Sequence, residues 1–206
     1  MMEEQERRQE ILAAAFDEFA NKGFHSATIK SIARAARLNS PSLIYWYFPT
    51  KEALFQEVLT AHSPFLQNIF HADALLDQPP RQVLHQLALS YFTMLEQPAM
   101  SKLIRLMLTE LPKRQKLADV LGDKIILRVL GFLQRYLAHQ VELGRLRPHD
   151  VHVSARAFMG LIFPQAMGKL MLPALRKEAL ADSAYLDAVI DIFLTGLAAP
   201  AAPEEA

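Results

Sequence analysis

The sequence predicts an all-α protein of about nine helices, and three observations support this fold class. Apolar residues recur at spacings of three and four along most of the chain, as on the buried face of a helix. Most of the 12 prolines lie between these periodic segments, and glycine occurs only seven times. Alternating runs of β-branched residues, the pattern of a half-buried strand, are missing.

The N-terminal part is predicted to contain one longer helix and two short ones. The first spans about 4–22 and ends at Gly23, which serves as a left-handed cap. Thr28 is a natural N-cap for a short helix over about 28–37, and a second short helix follows over about 40–47. Two short helices joined by a tight turn and braced by a longer one are typical of a helix-turn-helix domain.

Proline and glycine divide the remainder into six further helices. Their predicted spans are about 50–70, 80–96, 99–110, 117–143, 150–170 and 182–197. The segment after 197 is rich in alanine and proline and is expected to fray. The sequence therefore predicts two domains: 1–50, which contains the helix-turn-helix pattern, and 51–206.

Charge is distributed unevenly, although 22 basic and 22 acidic residues give a net charge of zero. A neutral total argues against a nucleic-acid-binding protein, which is usually basic. Residues 22–51, however, contain five basic residues and no acidic one, a local charge of +5. Residues 1–21 contain two basic and six acidic residues (−4), and residues 52–206 contain fifteen and sixteen (−1). The neutral total therefore conceals a basic strip over the two short helices.

The second short helix contains three consecutive aromatic residues, Tyr45, Trp46 and Tyr47. Ile44 and Phe48 share one helix face, which directs the three rings partly outward. Tyrosine hydroxyls can bond to phosphates, and an indole can contact thymine methyl groups. Filling a protein core is the alternative role for these rings, and the neighbouring basic strip favours contact with DNA.

Three motifs occur within residues 11–55. They are Ile11-x-x-x-Ala15-x-x-x-Phe19, then Gly23-x-x-x-x-Thr28-Ile29-x-x-Ile32-Ala33, then Leu43-Ile44-Tyr45-Trp46-Tyr47-Phe48-Pro49-Thr50-Lys51-Glu52-Ala53-Leu54. The last is specific, because an aromatic helix is followed by proline, a cap residue and Lys-Glu-Ala-Leu. In these motifs the chain resembles the N-terminal DNA-binding domain of TetR-family transcriptional regulators.

The resemblance implies roles for individual residues on operator DNA. Thr28 would bond to a phosphate, and Lys30 would reach a base edge such as guanine O6 and N7. The residues that would line the major groove are Ser40, Pro41, Ser42, Leu43 and Trp46. Those that would bind phosphates on either side are Tyr45, Tyr47 and Lys51.

The turn between the short helices departs from the family pattern. Arg37 stands where the family usually has glycine, and the turn is longer by one residue, Asn39. Either Arg37 accepts a positive φ or the turn changes its conformation. Asn39 tolerates the left-handed region better than most residues, so it is the candidate for that position.

The last two predicted helices carry wide apolar stripes, which favour a dimer packed as a four-helix bundle, the usual TetR-family dimer. The residues expected at this interface are Phe158, Ile162, Leu186, Val189, Ile190, Phe193 and Leu197. A core within one chain is the alternative. The resemblance also implies a pocket for a small hydrophobic effector, with candidates Phe92, Ile104, Met107, Phe132, Tyr136, Phe158 and Met167. Methionine and aromatic residues also simply fill cores.

Several other classes find no support. The absence of cysteine excludes disulfides and thiolate zinc sites. No apolar run reaches the roughly 18 residues of a membrane span, and the N-terminus lacks a signal-peptide pattern, so a cytoplasmic protein without membrane contact is expected. Di-iron, phosphate-loop and nucleophile-elbow motifs are missing, and His149 and His152 lack a third ligand. Neither enzymatic activity nor a metal or cofactor is expected.

The leading interpretation is a homodimeric, ligand-responsive regulator: a repressor released from a pseudo-palindromic double-stranded DNA operator by a small hydrophobic effector. Two other interpretations stay open. One is a helical small-molecule carrier or enzyme with a vestigial DNA motif, against which the basic strip counts. The other is a DNA-binding protein without an effector, against which the apolar middle helices count only weakly.

Overall fold

The computed structural model describes residues 2–70, 72–113, 115, 118–119, 122–172, 174–175 and 181–198. Within these ranges the chain is helical and contains no β-strand, which confirms the all-α prediction. A single antiparallel bridge joins Leu146 and Ala198. The α-helices are α1 (Met2–Ser26), α2 (Ile29–Ala35), α3 (Ser42–Tyr47), α4 (Lys51–Ala61), α5 (Pro64–Phe70), α6 (Pro80–Glu96), α7 (Pro98–Glu110), α8 (Leu127–Glu142), α9 (Val151–Leu170) and α10 (Asp182–Leu197).

The chain forms two compact units. The first consists of Met1–Gln67 and Met94–Ile126, and the second of Asn68–Thr93 and Leu127–Ala206. Helix α7 therefore packs with the N-terminal helices, although about 25 residues of the second unit precede it in the chain. The predicted domains assign DNA binding to residues 1–50 and ligand binding and dimerisation to residues 51–206. This assignment of functions stays a prediction.

Helix α1 is the centre of the first unit, where it packs against α2, α4 and α7. Its predicted apolar stripe is buried, as expected from the spacing of three and four. Phe19 lies within 6 Å of two other rings, with centroid distances of 5.7 Å to Phe24 and 5.0 Å to Phe55. Phe24 and Phe55 are also 5.0 Å apart, so the three rings join the end of α1 to α4.

Two predicted helices differ from the structure. The helix predicted over 50–70 is divided, because α4 ends at Ala61 and α5 begins at Pro64, whose ring nitrogen cannot donate a hydrogen bond to continue α4. The helix predicted from 117 has its start outside the described residues. Its described part is a π-helical turn over Gly122–Ile126 followed by α8. Pro173 and the predicted frayed segment beyond 198 also lie outside the described residues.

In the second unit, side chains on and just after α8 hold the segment that precedes α6. The Tyr136 hydroxyl donates to the carbonyl oxygen of Gln78 at 2.7 Å, and the fully buried Gln140 amide donates to that of Leu76 at 2.6 Å. Arg145 donates to the carbonyl oxygen of the residue between them, Asp77, at 2.8 Å. Three consecutive carbonyl groups are thus bonded, which satisfies backbone acceptors that the short connection leaves without helical partners.

Candidate nucleic-acid interface

The N-terminus of α2 is closed by a capping box. The Thr28 hydroxyl oxygen accepts from the Ser31 amide at 3.0 Å, and the Ser31 hydroxyl oxygen accepts from the Thr28 amide at 3.1 Å. This confirms Thr28 as the N-cap. Because α2 has only seven residues, it depends on this cap and on the burial of Ile32 and Ala33.

Helix α3 has one buried and one exposed side. Ile44 and Phe48 are 0% and 2% exposed, which fixes the helix in the first unit. Tyr45 and Trp46 are 52% and 73% exposed, and Tyr47 is half-buried. The first two rings therefore do not fill the core of the chain, and the outward direction predicted from the positions of Ile44 and Phe48 is confirmed.

The remaining predicted groove residues lie near the start of α3. Pro41, Ser42 and Leu43 are exposed, whereas Ser40 is half-buried. The hydroxyl groups of Ser40 and Ser42 are 2.7 Å apart and share a hydrogen bond. Exposed polar and apolar groups at the N-terminal end of the second helix of such a motif are the groups that can reach base edges.

The turn between α2 and α3 has its positive φ at Arg37 (53°), so the expectation that Asn39 takes this position was wrong. The Leu38 amide donates to the carbonyl oxygen of Ala33 and the Arg37 amide to that of Arg34, at 2.9 and 3.1 Å. These are the two bonds of a Schellman motif with Arg37 at the position that glycine favours. The Schellman motif ends α2 at Ala35, and the additional residue Asn39 lengthens the turn that follows the motif.

We expect Arg37→Gly to raise the free energy of unfolding by about 0.5–1 kcal/mol, because glycine adopts positive φ without the Cβ strain of arginine. Gly144 provides the matched control, since it occupies the same position after α8 with a φ of 69°. Gly144→Ala should lower the free energy of unfolding by about 1 kcal/mol. Urea denaturation of both variants measures the free energy of unfolding. A lower value for Arg37→Gly than for the wild type would show that the positive φ of Arg37 is not strained.

The five basic residues of the strip differ in their surroundings. Lys22 donates to both carboxylate oxygens of Glu18 at 2.7 and 2.8 Å. The hydrogen bond from Lys22, with a smaller effect of Ser31, lowers the pKa of Glu18. Lys30, Arg34 and Arg37 are exposed on or after α2. The positive charge that faces solvent is therefore concentrated on α2 and its turn.

Lys51 contacts the protein itself. Its ammonium group donates to the carbonyl oxygen of His25 at 3.2 Å and lies 4.5 Å from the centroid of the Phe24 ring. The side chain is half-buried. Lys51, predicted from the resemblance to bind phosphate, thus also holds the loop that precedes α2.

Arg8 contacts the residue at the end of α3, and the sequence did not indicate this contact. Its guanidinium group lies 5.2 Å from the centroid of the Phe48 ring at the end of α3 and forms an ion pair with Glu57 of α4. Arg8 therefore links the first, third and fourth helices on the side away from the exposed rings. Arginine and glutamate 49 positions apart give no local sequence signal of such a contact.

Two family models match this chain. Residues 11–58 match the model of bacterial regulatory proteins of the tetR family, and residues 82–197 match the model of the C-terminal domain of AefR-like transcriptional repressors. The chain belongs to the TetR family. This membership agrees with the motifs at residues 11–55, which lie within the segment that the N-terminal family model matches.

Curated relatives match this TetR-family chain over the DNA-binding segment. The uncharacterized HTH-type transcriptional regulator YdgC of Bacillus subtilis is 44% identical over 55 residues, 27% of this chain and 28% of that protein. The HTH-type regulator RutR of Escherichia coli K12 is 43% identical over 53 residues, 26% of this chain and 24% of that protein. The chain thus aligns with only about a quarter of the length of these relatives.

Solved structures share the fold over nearly the whole chain. A TetR-family regulator from Mesorhizobium loti has a TM-score of 0.71 at 23% identity, covering 94% of this chain and 98% of that one. A complex of SmeT with triclosan has a TM-score of 0.71 at 21% identity, covering 95% and 93%. FadR of Bacillus subtilis with stearoyl-CoA has a TM-score of 0.66 at 20% identity, covering 92% and 98%.

The candidate effector residues are mostly interior. In the second unit Phe92, Phe132, Tyr136 and Phe158 are buried and Met167 is half-buried, whereas the half-buried Ile104 and Met107 lie on α7 of the first unit. The hydroxyl of Tyr136 is bonded to a backbone carbonyl, and burial raises its pKa. A pocket of about 650 Å³ also lies in the second unit, and none of the candidate effector residues lines it. Its lining residues are Pro79, Arg81, Gln82, His85, Gln86, Leu89 and Asp187.

The candidate interface residues are buried inside one chain. All seven have exposed fractions of 9% or less: Phe158, Ile162, Leu186, Val189, Ile190, Phe193 and Leu197. They lie between α9, α10 and their neighbours, as the intrachain alternative proposed. The surface that α9 and α10 leave for a partner therefore consists of other side chains, among them Val153, Phe163 and Ile192, which are 62%, 56% and 67% exposed.

The described residues contain no group of three or more histidine and carboxylate side chains placed to hold a metal ion. None of the helices in the described ranges is both long and apolar enough to cross a membrane.

Proposed function

We propose that this TetR-family protein is a homodimeric repressor that a small hydrophobic effector releases from a pseudo-palindromic DNA operator. The observation that carries the DNA-binding part is the exposed face of α3. Leu43, Tyr45 and Trp46 expose 43%, 52% and 73% of their surface beside the basic residues of α2. Exposing three large apolar side chains on one short helix is costly in water and is explained by a partner surface.

On an operator, α3 would lie in the major groove with Trp46 and Leu43 against base edges. Thr28 can still donate its hydroxyl hydrogen to a phosphate, because in the capping box its oxygen accepts the Ser31 amide. Lys30, one turn into α2, would reach a base edge. Tyr45, Tyr47 and Lys51 would contact phosphates, and the Lys51 ammonium, which has three hydrogens to donate, would do so while it holds the carbonyl oxygen of His25.

We expect Lys30→Ala to reduce discrimination at a single base pair by about 1–3 kcal/mol, because only one base edge loses its partner. Tyr45→Phe is the matched control, since loss of a phosphate contact should weaken binding about equally on all sequences. Fluorescence anisotropy on the operator and its single-base variants measures both. Equal weakening by Lys30→Ala on every variant would contradict a base contact and indicate a phosphate contact.

The experiment that tests DNA binding is a mobility-shift assay on the region upstream of the protein's own gene, followed by selection from random DNA. A specific complex on a two-fold symmetric site supports the proposal. The absence of sequence preference in both assays would overturn it and favour a helical small-molecule-binding protein with a vestigial DNA motif.

The proposed dimer uses the outer faces of α9 and α10. Val153, Phe163 and Ile192 supply apolar surface there, and Gly160 and Gly196 are exposed with no other side chain within 4 Å of an added Cβ. Small residues next to large apolar ones allow helices of two protomers to approach closely and interdigitate. On a pseudo-palindromic operator, a dimer would place its two copies of α3 in successive major grooves, about 34–36 Å apart.

The proposed effector is small and hydrophobic. The interior of the second unit is apolar and aromatic around Phe92, Phe132, Tyr136 and Phe158. Two proteins of the same fold have been solved with compounds that contain large apolar groups, SmeT with triclosan and FadR with stearoyl-CoA. An effector would release DNA by binding more tightly to the conformation that cannot bind the operator. A thermal-shift screen of hydrophobic compounds, with each hit tested for operator release, decides between this proposal and a regulator without an effector.

A further inference from the structure

The backbone of His25 is held by two side chains of opposite charge. Its amide donates to a carboxylate oxygen of Glu110 at 3.2 Å, and its carbonyl oxygen accepts from the Lys51 ammonium at 3.2 Å. Glu110 is the last residue of α7 and Lys51 the first of α4. Two helices therefore hold one residue at the end of α1, in the short segment between Gly23, where non-helical φ and ψ interrupt α1, and the start of α2. We call Glu110, Lys51 and the His25 backbone the His25 clamp.

The surroundings of the clamp fit the carboxylate closely. A Cβ on Gly23 would lie 3.2 Å from the other carboxylate oxygen of Glu110, so the absence of a side chain there makes room for it. Gly23 also has a φ of 77°, which L-residues rarely adopt. About two turns earlier on α7, the Lys102 ammonium donates to the side-chain oxygen of Asn21 at 3.1 Å, so a second side chain of α7 bonds to the end of α1.

The negative charge of Glu110 carries electrostatic costs at this position. A negative side chain at a helix C-terminus opposes the helix dipole. This one also lies beside the basic strip, where a negative charge repels DNA. Backbone hydrogen bonding to a carboxylate is a charge-assisted interaction that can offset these costs.

We propose that Glu110 is a positioning residue for DNA binding: by bonding the His25 amide it fixes the loop that sets the place of Thr28 and the start of α2. Thr28 is three residues beyond His25, and α2 is short, so the loop determines where Lys30 and the α2 phosphate contact lie. Glu110 itself does not touch DNA. The inference rests on the proposed operator binding. It gives α7 a role in positioning α2 on DNA, although α7 makes no base contact itself.

The test compares Glu110→Ala with Glu110→Gln on the selected operator. If Glu110 acts only as a negative charge near DNA, both substitutions should tighten binding by relieving repulsion. If it acts through the His25 amide, Glu110→Ala weakens binding about tenfold, whereas Glu110→Gln keeps an oxygen acceptor and binds at least as tightly as the wild type. Lys102→Ala removes the hydrogen bond from α7 to Asn21 and leaves the His25 clamp intact. This substitution should change affinity less than about twofold.

Amide hydrogen exchange at His25, followed by NMR on the full chain without DNA, gives an independent measurement. Glu110→Ala should speed exchange at His25 and its neighbours, and Glu110→Gln should not. Tighter binding by Glu110→Ala, or unchanged exchange at His25, overturns the proposal. If the wild-type protein selects no DNA sequence, the proposed function fails instead, while the exchange experiment still decides whether the clamp holds the loop.

Discussion

Ile192→Glu is expected to convert the dimer into a monomer and to weaken operator binding at least about 100-fold. Ile192 is the most exposed large apolar residue of α10, at 67%. On the proposed two-fold interface the substitution would desolvate two carboxylates near one another, which costs several kcal/mol. A monomer binds only one half-site and loses the gain from a second linked site, which is about 10²–10⁴ in affinity.

Light scattering after size-exclusion chromatography measures the mass, which should fall from twice 23.2 kDa to 23.2 kDa. Leu143→Glu is the matched control, because Leu143 is also an exposed apolar residue (44%) but directly follows α8 and is not part of α9 or α10. It should leave both mass and affinity unchanged. A dimeric Ile192→Glu variant with wild-type affinity would place the interface elsewhere.

Trp46→Ala is expected to weaken operator binding by about 2–4 kcal/mol, roughly 30- to 1000-fold, with little effect on folding. Its ring is 73% exposed in the isolated chain, so truncation removes little intramolecular packing beyond the edge contact with Tyr47, whose ring centroid is 5.3 Å away. On DNA the same ring would be buried against base edges in the centre of the contact surface, where large aromatic residues contribute most.

The free energy of unfolding from urea denaturation should stay within about 0.5 kcal/mol of the wild type, as for other surface substitutions. Trp46→Phe retains an apolar ring and should recover part of the affinity. If Trp46→Ala binds the operator as tightly as the wild type, the centre of the proposed DNA contact is misplaced and Trp46 needs another partner. This outcome is independent of the dimer prediction.

Local features of the DNA-binding segment could be predicted because adjacent residues produce them. The N-cap role of Thr28 and the outward direction of Tyr45 and Trp46 follow from residue type and helical spacing over fewer than ten positions. Both are confirmed in the structure. The boundaries of α6, α7 and α9 were also close to their predicted places, since proline or a side-chain cap begins them. Helix α10 also begins near its predicted place, although its N-cap residue Ala181 makes no side-chain cap bond.

Features that depend on distant residues could not be predicted. The stripe of α10 was interpreted as an interface, but an apolar stripe has the same spacing whether its partner is in the same chain or another. The hydrogen bond of Lys51 to His25 joins residues 26 positions apart and depends on where α1 ends. Arg37 keeps its positive φ because two backbone bonds outweigh the preference of the side chain, which single-residue propensities do not capture.

Helix α7 has a consequence for domain exchange between members of the family. The C-terminal family model covers α7, yet α7 packs along α1, of which residues 11–26 lie in the segment that the N-terminal model covers. A chimera made by replacing residues 1–58 would therefore place a foreign α1 against this α7. It would lose the Lys102–Asn21 bond unless the donor has a side-chain acceptor at residue 21, and it would keep the bond from the backbone amide of residue 25 to Glu110 only where the foreign backbone follows the same path. Exchange of DNA specificity should instead transplant only the exposed residues of α2 and α3, leaving α1 as part of the recipient.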